Sequence, residues 1–211
     1  MSASELATPN DHLAAAYESR LPLLERLASV LKSETTEALA GLSHIDRVAF
    51  RVKAPGSFAT KALDPATEPH YTEPLVEIED QVAGRVLVFF LSDITPVEER
   101  LRNTFNTVER IHRRPEKDDE FGYESHHLIC MIPPQLKPTG WEDREDVPTT
   151  FELQLRTLFM HAWAEPQHDL DYKGAAELSR EIKRELSWIA ASAWGSDQAF
   201  DRVWKSQAQK T

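Results

Sequence analysis

The residues best suited to chemistry lie in an alternating segment, TFELQLRT, at residues 150–157. Polar and apolar side chains alternate there, which predicts a β-strand with one apolar face and one polar face. The polar face carries a carboxylate, an amide and a guanidinium, namely Glu152, Gln154 and Arg156. Such a face suits the binding of an anion or a metal ion, but an ordinary strand with a solvated outer face explains the same pattern.

A second group of polar residues lies at a predicted strand–turn–helix junction, residues 45–63. Arg51 and Lys53 share one face of the predicted strand. The Pro-Gly pair that follows predicts a turn, and Ser57 is predicted to cap a short helix that carries Lys61 one turn later. Basic side chains beside a helix N-terminus suit a phosphate group. Basic residues beside a turn are, however, usually only solvated.

Two apolar strands are each preceded by polar residues. Asp80 and Arg85 come before the run at 86–91, which is typical of a central strand buried on both faces. A second apolar strand is predicted at 128–132, and a structural hairpin edge explains the polar residues before it equally well. Those residues are Tyr123, Ser125 and His127.

Composition narrows the class of protein. The 211 residues are 41% hydrophobic and 28% charged, as in one soluble globular domain with a sizeable core. The net charge of -11 argues against a general nucleic-acid or membrane-surface binder. The single Cys130 excludes an internal disulfide and a multi-cysteine zinc site. No apolar run approaches the roughly 18 residues that span a bilayer, and no signal peptide is recognisable, so we expect a cytoplasmic protein.

The helices are predicted from apolar spacing and caps. Near the N-terminus, Asn10 or Asp11 is predicted to cap a helix in which Pro22 marks a kink or the true start, and a shorter helix follows at 37–42. A capping box at 95–98 predicts a helix that continues to Ile111. Strand–helix–strand order follows, and with it an α/β layering.

The C-terminal half is predicted to begin with an exposed, acidic excursion at 133–148. Thr157 is then predicted to cap a helix that reaches Lys173, with a kink at Pro166. A break at 195–197 separates two further helical patterns, whose apolar stripes suit either the core or a homo-oligomer.

Five segments in register resemble the synthetase domain of the RelA/SpoT family, which makes guanosine alarmones. The resemblance spans about residues 45–173, between helical extensions at 1–44 and 174–211. The matching segments are Arg51-x-Lys53 with Ser57 and Lys61, Asp80 with Arg85, Gly122-Tyr123-x-Ser125-x-His127, Glu152-x-Gln154-x-Arg156-Thr157, and Trp163-Ala164-Glu165-x-x-His168 ending at Tyr172-Lys173.

The resemblance implies a fold and a reaction. The fold is a mixed central β-sheet of nucleotidyltransferase-like type, flanked by helices. The reaction transfers pyrophosphate from ATP to the 3′-hydroxyl of GDP or GTP. Asp80 and Glu152 would hold Mg²⁺, and Glu152 would also take the proton of the attacking hydroxyl. The implied ATP-binding residues are Arg51, Lys53, Ser57, Lys61 and Arg85, with Arg51 stacking on adenine. The implied acceptor-binding residues are Tyr123, which stacks on the base, Ser125, His127, Gln154 and Arg156.

One departure leaves the acceptor open. The short acidic segment at 117–121 stands where family members that use GTP usually carry a longer, basic stretch. A toxic relative that pyrophosphorylates the tRNA 3′ end or an adenosine nucleotide, with an antitoxin as partner, is therefore an alternative. A non-enzymatic nucleotide-binding module is a further one. A metal-dependent hydrolase is disfavoured, because residues 1–44 offer only His12 and His44 as ligands.

Overall fold

The structure is a computed structural model that describes residues 8–65, 70–115, 117, 120–122, 124–173 and 179–208. The side chains of residues 9 and 167–173 also lie outside the description. In the described part of the chain, no helix is both long enough and apolar enough to cross a membrane.

A five-stranded mixed sheet forms the centre of the molecule, as predicted. Its spatial order is β1-β2-β5-β4-β3. Strands β2 and β5 are parallel, and every other neighbouring pair is antiparallel. The strands are β1 (Ile45–Val52), β2 (Val82–Val88), β3 (Thr107–Arg113), β4 (Ser125–Met131) and β5 (Thr150–Thr157).

Helices lie on both sides of this sheet. Proline occupies one of the first two positions of several of them, where its missing N–H has no intrahelical partner to lose. The helices are α1 (Pro9–Glu18), α2 (Leu21–Ala38), α3 (Pro55–Ala62), α4 (Pro74–Glu77), α5 (Leu91–Thr104), α6 (Leu158–Lys173) and α7 (Arg180–Ala208). Single 3-10 turns occur at Glu79–Gln81 and Pro134–Leu136.

The strand register separates an apolar face from a polar face. Gly84 pairs with Phe50 on one side and with Leu153 on the other. A Cβ atom at Gly84 would lie 2.5 Å from the Phe50 ring and 2.6 Å from the Leu153 side chain, so this apolar row packs closely only with glycine there. The helices α2 and α5 contribute Leu27, Leu31, Val97 and Leu101 to the same buried cluster.

The polar face lies one residue out of phase with the apolar one. Arg85 of β2 pairs with Gln154 of β5, which pairs with His127 of β4. The next row joins Ala83 to Glu152 and runs outward to Arg51 of β1. Residues paired across neighbouring strands share a face, so the register collects the predicted site residues on one side of the sheet. We call this side the active face.

The N-terminal prediction needs correction at both of its ends. The cap of α1 is Thr8 in a capping box with Asp11, rather than Asn10 or Asp11 itself. Pro22 lies at the true start of α2, which resolves the alternative left open above. The helix continues to Ala38, so no separate helix occupies 37–42.

The predicted helix 95–111 is wrong at both ends. Helix α5 begins at Leu91, because the Asp93 carboxylate accepts from the backbone N–H of Phe90 at 3.1 Å and caps the first turn. It ends at Thr104, and Val108 and Ile111 lie on β3 instead. Their spacing of three residues is typical of a helix, since a strand would place the two side chains on opposite faces, but pairing with β4 makes this segment a strand.

Three other local predictions were also wrong. Ser57 does not cap α3, because the helix begins at Pro55 and its N-cap is Ala54. The segment 133–148 is not wholly exposed, since Trp141 is 3% exposed and belongs to the core. The expected break at 195–197 is absent, because α7 is continuous through these residues.

Thr157 does cap α6, accepting from the N–H of Met160 at 3.1 Å, as predicted.

Candidate active site

The carboxylate of Asp80 lies between two ammonium groups at the end of β1 and the start of β2. Lys53 Nζ is 2.6 Å from Asp80 Oδ2, and Lys61 Nζ is 2.9 Å from Oδ1. Lys53 follows β1, Lys61 lies on α3, and Asp80 belongs to the 3-10 turn before β2. The backbone N–H of Lys53 donates to the carbonyl of Gln81 at 2.9 Å, which fixes the strand end beside the turn.

The charge of Asp80 is maintained against the cost of burial. Burial acts to raise its pKa, but the two lysines outweigh that effect and hold the pKa below its usual value. Asp80 is therefore ionised at neutral pH. The same two ammonium groups are within reach of any phosphate that approaches the carboxylate.

Glu152 lies in the centre of the sheet and is 8% exposed. Its Oε1 atom contacts Nδ1 of the buried His127, and its Oε2 atom accepts from Gln154 Nε2 at 3.1 Å. Burial acts to raise the pKa of Glu152, yet the hydrogen bond and charge of His127 and the bond from Gln154 lower it overall. The residue is thus a carboxylate held in one orientation by its neighbours on β4 and β5.

Asp80 and Glu152 are close enough to interact electrostatically. The charge of Asp80 acts to raise the pKa of Glu152, and β2 connects them because Ala83, which follows Asp80 by three residues, pairs with Glu152. Among the described residues, no three His, Cys, Asp or Glu side chains form a metal-binding group. Two carboxylates fit Mg²⁺, which usually takes one or two protein carboxylates and completes its shell with waters and substrate phosphates.

A chain of hydrogen bonds continues along β5 from this pair. Gln154 Oε1 accepts from Arg156 Nη2 at 2.7 Å. The carboxylate of Glu152, the amide of Gln154 and the guanidinium of Arg156 are therefore linked by hydrogen bonds in the order of the sequence. Arg156 also lies 3.5 Å from Glu165 Oε1, and Arg85 NH1 lies 2.9 Å from the same oxygen. Glu165 of α6 therefore orients two guanidinium groups of the active face.

Glu165 and His161 of α6 also belong to this region, although the sequence predicted no role for either. Glu165 is half-exposed, and its carboxylate is also 3.7 Å from His161 Nδ1. Burial lowers the pKa of His161, and the charge of Arg85 lowers it further. The spacing of four residues between His161 and Glu165 was a detectable signal, since it places both on one side of a helix.

The structure describes the positions of three of the remaining predicted residues. Arg51 is exposed on β1, Ser57 lies one turn before Lys61 on α3, and Ser125 is buried at the start of β4. Tyr123 and the side chain of His168 lie outside the described residues.

Comparisons with known proteins identify relatives in sequence and in fold. The region found in RelA and SpoT proteins matches residues 50–177. The GTP pyrophosphokinase YjbM of Bacillus subtilis is 31% identical over 164 residues, 76% of this chain and 72% of the relative. The crystal structure of small alarmone synthetase 1 from Bacillus subtilis matches with a TM-score of 0.76 at 24% identity, over 93% of this chain and 99% of that one. A structure of that synthetase bound to its product pppGpp matches with a TM-score of 0.72 at 26% identity, over 90% and 97%.

Proposed function

The chain belongs to the RelA/SpoT family, and we propose that it transfers the pyrophosphoryl group of ATP to the 3′-hydroxyl of GDP or GTP, which makes a (p)ppGpp-type alarmone. The observation that carries this proposal is that Asp80 and Glu152 lie close enough to interact electrostatically, beside Lys53, Lys61 and Arg85. A relative named GTP pyrophosphokinase and a synthetase structure containing pppGpp support the choice of substrates.

The reaction exchanges one bond to phosphorus for another. The 3′-oxygen of the acceptor attacks the β-phosphorus of ATP, the bond from that phosphorus to the α,β-bridging oxygen breaks, and AMP leaves with the electron pair. In this proposal Glu152 accepts the hydroxyl proton, and the contacts that His127 and Gln154 make with its carboxylate support that role. Positioning and electrostatic stabilisation are the main contributions that a protein makes to phosphoryl transfer.

The cationic residues supply that stabilisation. Lys53 and Lys61 donate to the phosphates of ATP from the positions in which they now contact Asp80. Asp80 and Glu152 would hold Mg²⁺, which when bound would supply positive charge beside the phosphates. Arg85 lies in the next row of the sheet and adds a planar guanidinium for the phosphate chain, while Arg51 at the edge strand stacks on adenine.

The acceptor lies on the β4 side of the sheet in this proposal. Tyr123 stacks on its base, and Ser125, His127, Gln154 and Arg156 hold its ribose and phosphates. No feature of the described residues favours tRNA, an adenosine nucleotide or a purely binding role, so we propose no second activity.

The acceptor is tested directly by label transfer. Purified protein is incubated with Mg²⁺ and ATP labelled at the γ-phosphate, with GDP, GTP, ATP or bulk tRNA in separate reactions. We expect label on GDP or GTP. Label on tRNA or on an adenosine nucleotide would contradict the proposed acceptor while leaving the chemistry intact, and ATP binding without transfer would contradict the enzyme.

We also propose that the chain forms a homo-oligomer through α7. Large apolar side chains on this helix are 43–69% exposed, and at 100° per residue several of them fall within about one third of its circumference. These residues are Ile182, Trp188, Ile189, Phe200 and Val203.

A further inference from the structure

Arg20 is a buried cation outside the region that matches the family. It lies between α1 and α2 and is 1% exposed. Three residues after Tyr17 and four before Leu24, it occupies a position on the apolar stripe of the N-terminal helices. A charged residue at such a position needs an explanation, because charged side chains are almost never fully buried unless they are paired.

The hydrogen bonds of Arg20 converge on the segment that carries Asp80. Its Nη1 atom donates to the carbonyl of Leu75 at 3.0 Å and to the carbonyl of Asp146. Its Nη2 atom donates to Oε1 of Gln81 at 3.2 Å. These bonds join the N-terminal helices to the residues immediately before β2 and to the loop before β5.

Gln81 transmits this contact to the turn. It is fully buried, and its Nε2 group donates to the carbonyls of Leu75 at 3.0 Å and Ile78 at 2.9 Å. Its backbone carbonyl accepts from the N–H of Lys53 and from Tyr17 Oη at 3.4 Å. Gln81, which directly follows Asp80, is therefore hydrogen-bonded through its side chain and through its backbone carbonyl. Arg20 is one of its hydrogen-bond partners.

Aromatic packing connects Arg20 to the lysine on α3 as well. The guanidinium carbon lies 5.0 Å from the centre of the Tyr17 ring and 5.9 Å from that of Phe58. The two rings stack with their centres 4.0 Å apart. Phe58 lies on α3, three residues before Lys61. The guanidinium of Arg20 therefore contacts the helix that carries Lys61 and also Gln81, which follows Asp80 in the turn.

The energetic cost of this arrangement indicates a positional role. Burial lowers the pKa of Arg20, and the charge of Asp146 acts in the opposite direction without fully offsetting it. The hydrogen bonds described for it go to carbonyl and amide oxygens rather than to a carboxylate, so they fix the position of the guanidinium against backbone and Gln81. An apolar side chain would stabilise the same core with no desolvation cost, but it would not fix Gln81.

We propose that Arg20 is a positioning residue: through Gln81 it holds the turn Glu79–Gln81 in the orientation that allows Asp80 to bind the Mg²⁺ of the Mg·ATP complex. This inference rests on the proposed function for the identity of the nucleotide and the metal. Asp80 has a backbone conformation outside the helical range, φ -88° and ψ 20°, so neighbouring contacts rather than an extended helix must fix it.

The test measures binding rather than turnover. Calorimetric titration with ATP at a series of Mg²⁺ concentrations gives the Mg²⁺ concentration at which the gain in ATP affinity is half-maximal. We expect Arg20→Met to raise that concentration about tenfold, which corresponds to ~1.4 kcal/mol. Arg20→Lys, which keeps the charge but not the geometry of the bonds, should produce a smaller rise.

Leu24→Ala is the matched control. Leu24 is fully buried one turn further along α2, and its truncation lowers stability without breaking the bonds to Gln81. We expect Leu24→Ala to lower thermal stability while leaving the Mg²⁺ requirement unchanged. The inference is overturned if Arg20→Met keeps the wild-type requirement, if Leu24→Ala shifts it equally, or if ATP affinity in the wild type does not depend on Mg²⁺.

A second variant tests the route through Gln81. Gln81→Leu leaves the guanidinium in place but breaks the link, so it should raise the Mg²⁺ requirement by itself, and the double variant should be little worse than either single one. The same variant carries the test if Arg20→Met does not fold. A wild-type protein that binds Mg·ATP through this arrangement but transfers no pyrophosphate would contradict the proposed function without contradicting this inference.

Discussion

At the scale of single residues, Asp80 is the clearest case of a group whose state is set by its neighbours. It is a mostly buried carboxylate that stays ionised because two ammonium groups contact its two oxygens. The sequence predicted Asp80, Lys53 and Lys61 as site residues, but not that they contact one another. That contact follows from the turn at Glu79–Gln81 and the start of α3, which no spacing rule specifies.

Replacing one of these lysines should change the pH dependence of activity. In Lys53→Gln, Asp80 keeps only Lys61 as a cationic neighbour, so its pKa rises and it becomes protonated at higher pH. We expect the acid limb of the kcat/KM profile to move upward in pH, with about a hundredfold loss of activity at neutral pH. Lys32→Gln, on the exposed side of α2, is the control and should reproduce the wild-type profile. An unmoved acid limb would show that Lys53 does not set the charge of Asp80.

At the scale of secondary-structure elements, β5 and α6 were the most predictable part of the chain. Strict alternation and a threonine cap predicted both elements and their boundary. β3 was missed because the three-residue spacing of Val108 and Ile111 continues the helical pattern of α5, whereas its identity as a strand depends on pairing with β4. The start of α5 was missed because the stabilising contacts of its first turn leave no apolar period: Asp93 accepts locally from the N–H of Phe90, and the N–H of Ser92 donates to Asp201 of α7, 109 residues away, at 2.8 Å.

A buried carboxylate also joins α7 to the end of β5. Thr157 Oγ1 donates to Asp197 Oδ2 at 2.5 Å, and Asp197 is 1% exposed. Burial raises the pKa of Asp197 to about 6, and the nearby charges of Glu124 and Asp201 act in the same direction. Gly195 and Asp197 suggested a helix break in the sequence, but this contact explains why an acidic residue lies inside a continuous helix.

Asp197→Asn should therefore stabilise the protein in a pH-dependent way. The folded state binds its proton more tightly than the unfolded state, so the wild type loses stability as pH rises from about 4 to about 6 and keeps that penalty above it. Asparagine still accepts from Thr157 but has no charge to bury. We expect the free energy of unfolding of the variant to exceed that of the wild type by at most about 3 kcal/mol at pH 7, and by little near pH 4.

Denaturant unfolding followed by circular dichroism at pH 4, 5, 6 and 7 measures this difference. Asp143→Asn, in the exposed part of the loop before β5, serves as the control. A difference that stays constant with pH would mean that Asp197 does not titrate between the two states in this range.

At the scale of the whole molecule, the sheet is the scaffold, and the N-terminal and C-terminal helical extensions have different structural roles. The N-terminal helices supply Arg20 to the turn beside the active face, whereas α7 supports α5 and α6 and leaves an apolar surface exposed. The sequence predicted that both regions are helical and carry apolar stripes. It did not distinguish core from surface, because the same periodicity serves both.

The exposed stripe of α7 leads to a prediction about mass in solution. We expect light scattering after size-exclusion chromatography to give a multiple of the 24.0 kDa chain mass. Trp188 is 69% exposed, and Trp188→Glu should shift the protein toward the monomer, because a carboxylate is costly to bury between apolar surfaces. Lys183→Glu, on the other side of the helix, should leave the mass unchanged. A monomeric wild type would contradict the proposed oligomer.

The central claim is that one carboxylate pair, Asp80 with Glu152, carries out transfer to a guanosine nucleotide. Glu152→Gln tests it most directly, because the amide is nearly isosteric but neither accepts the hydroxyl proton well nor binds Mg²⁺ as strongly. With labelled ATP, Mg²⁺ and GDP or GTP, we expect the variant to form alarmone at least about a thousandfold more slowly than the wild type. Glu99→Gln, exposed on α5, should match the wild type. Transfer by Glu152→Gln at the wild-type rate would contradict the account.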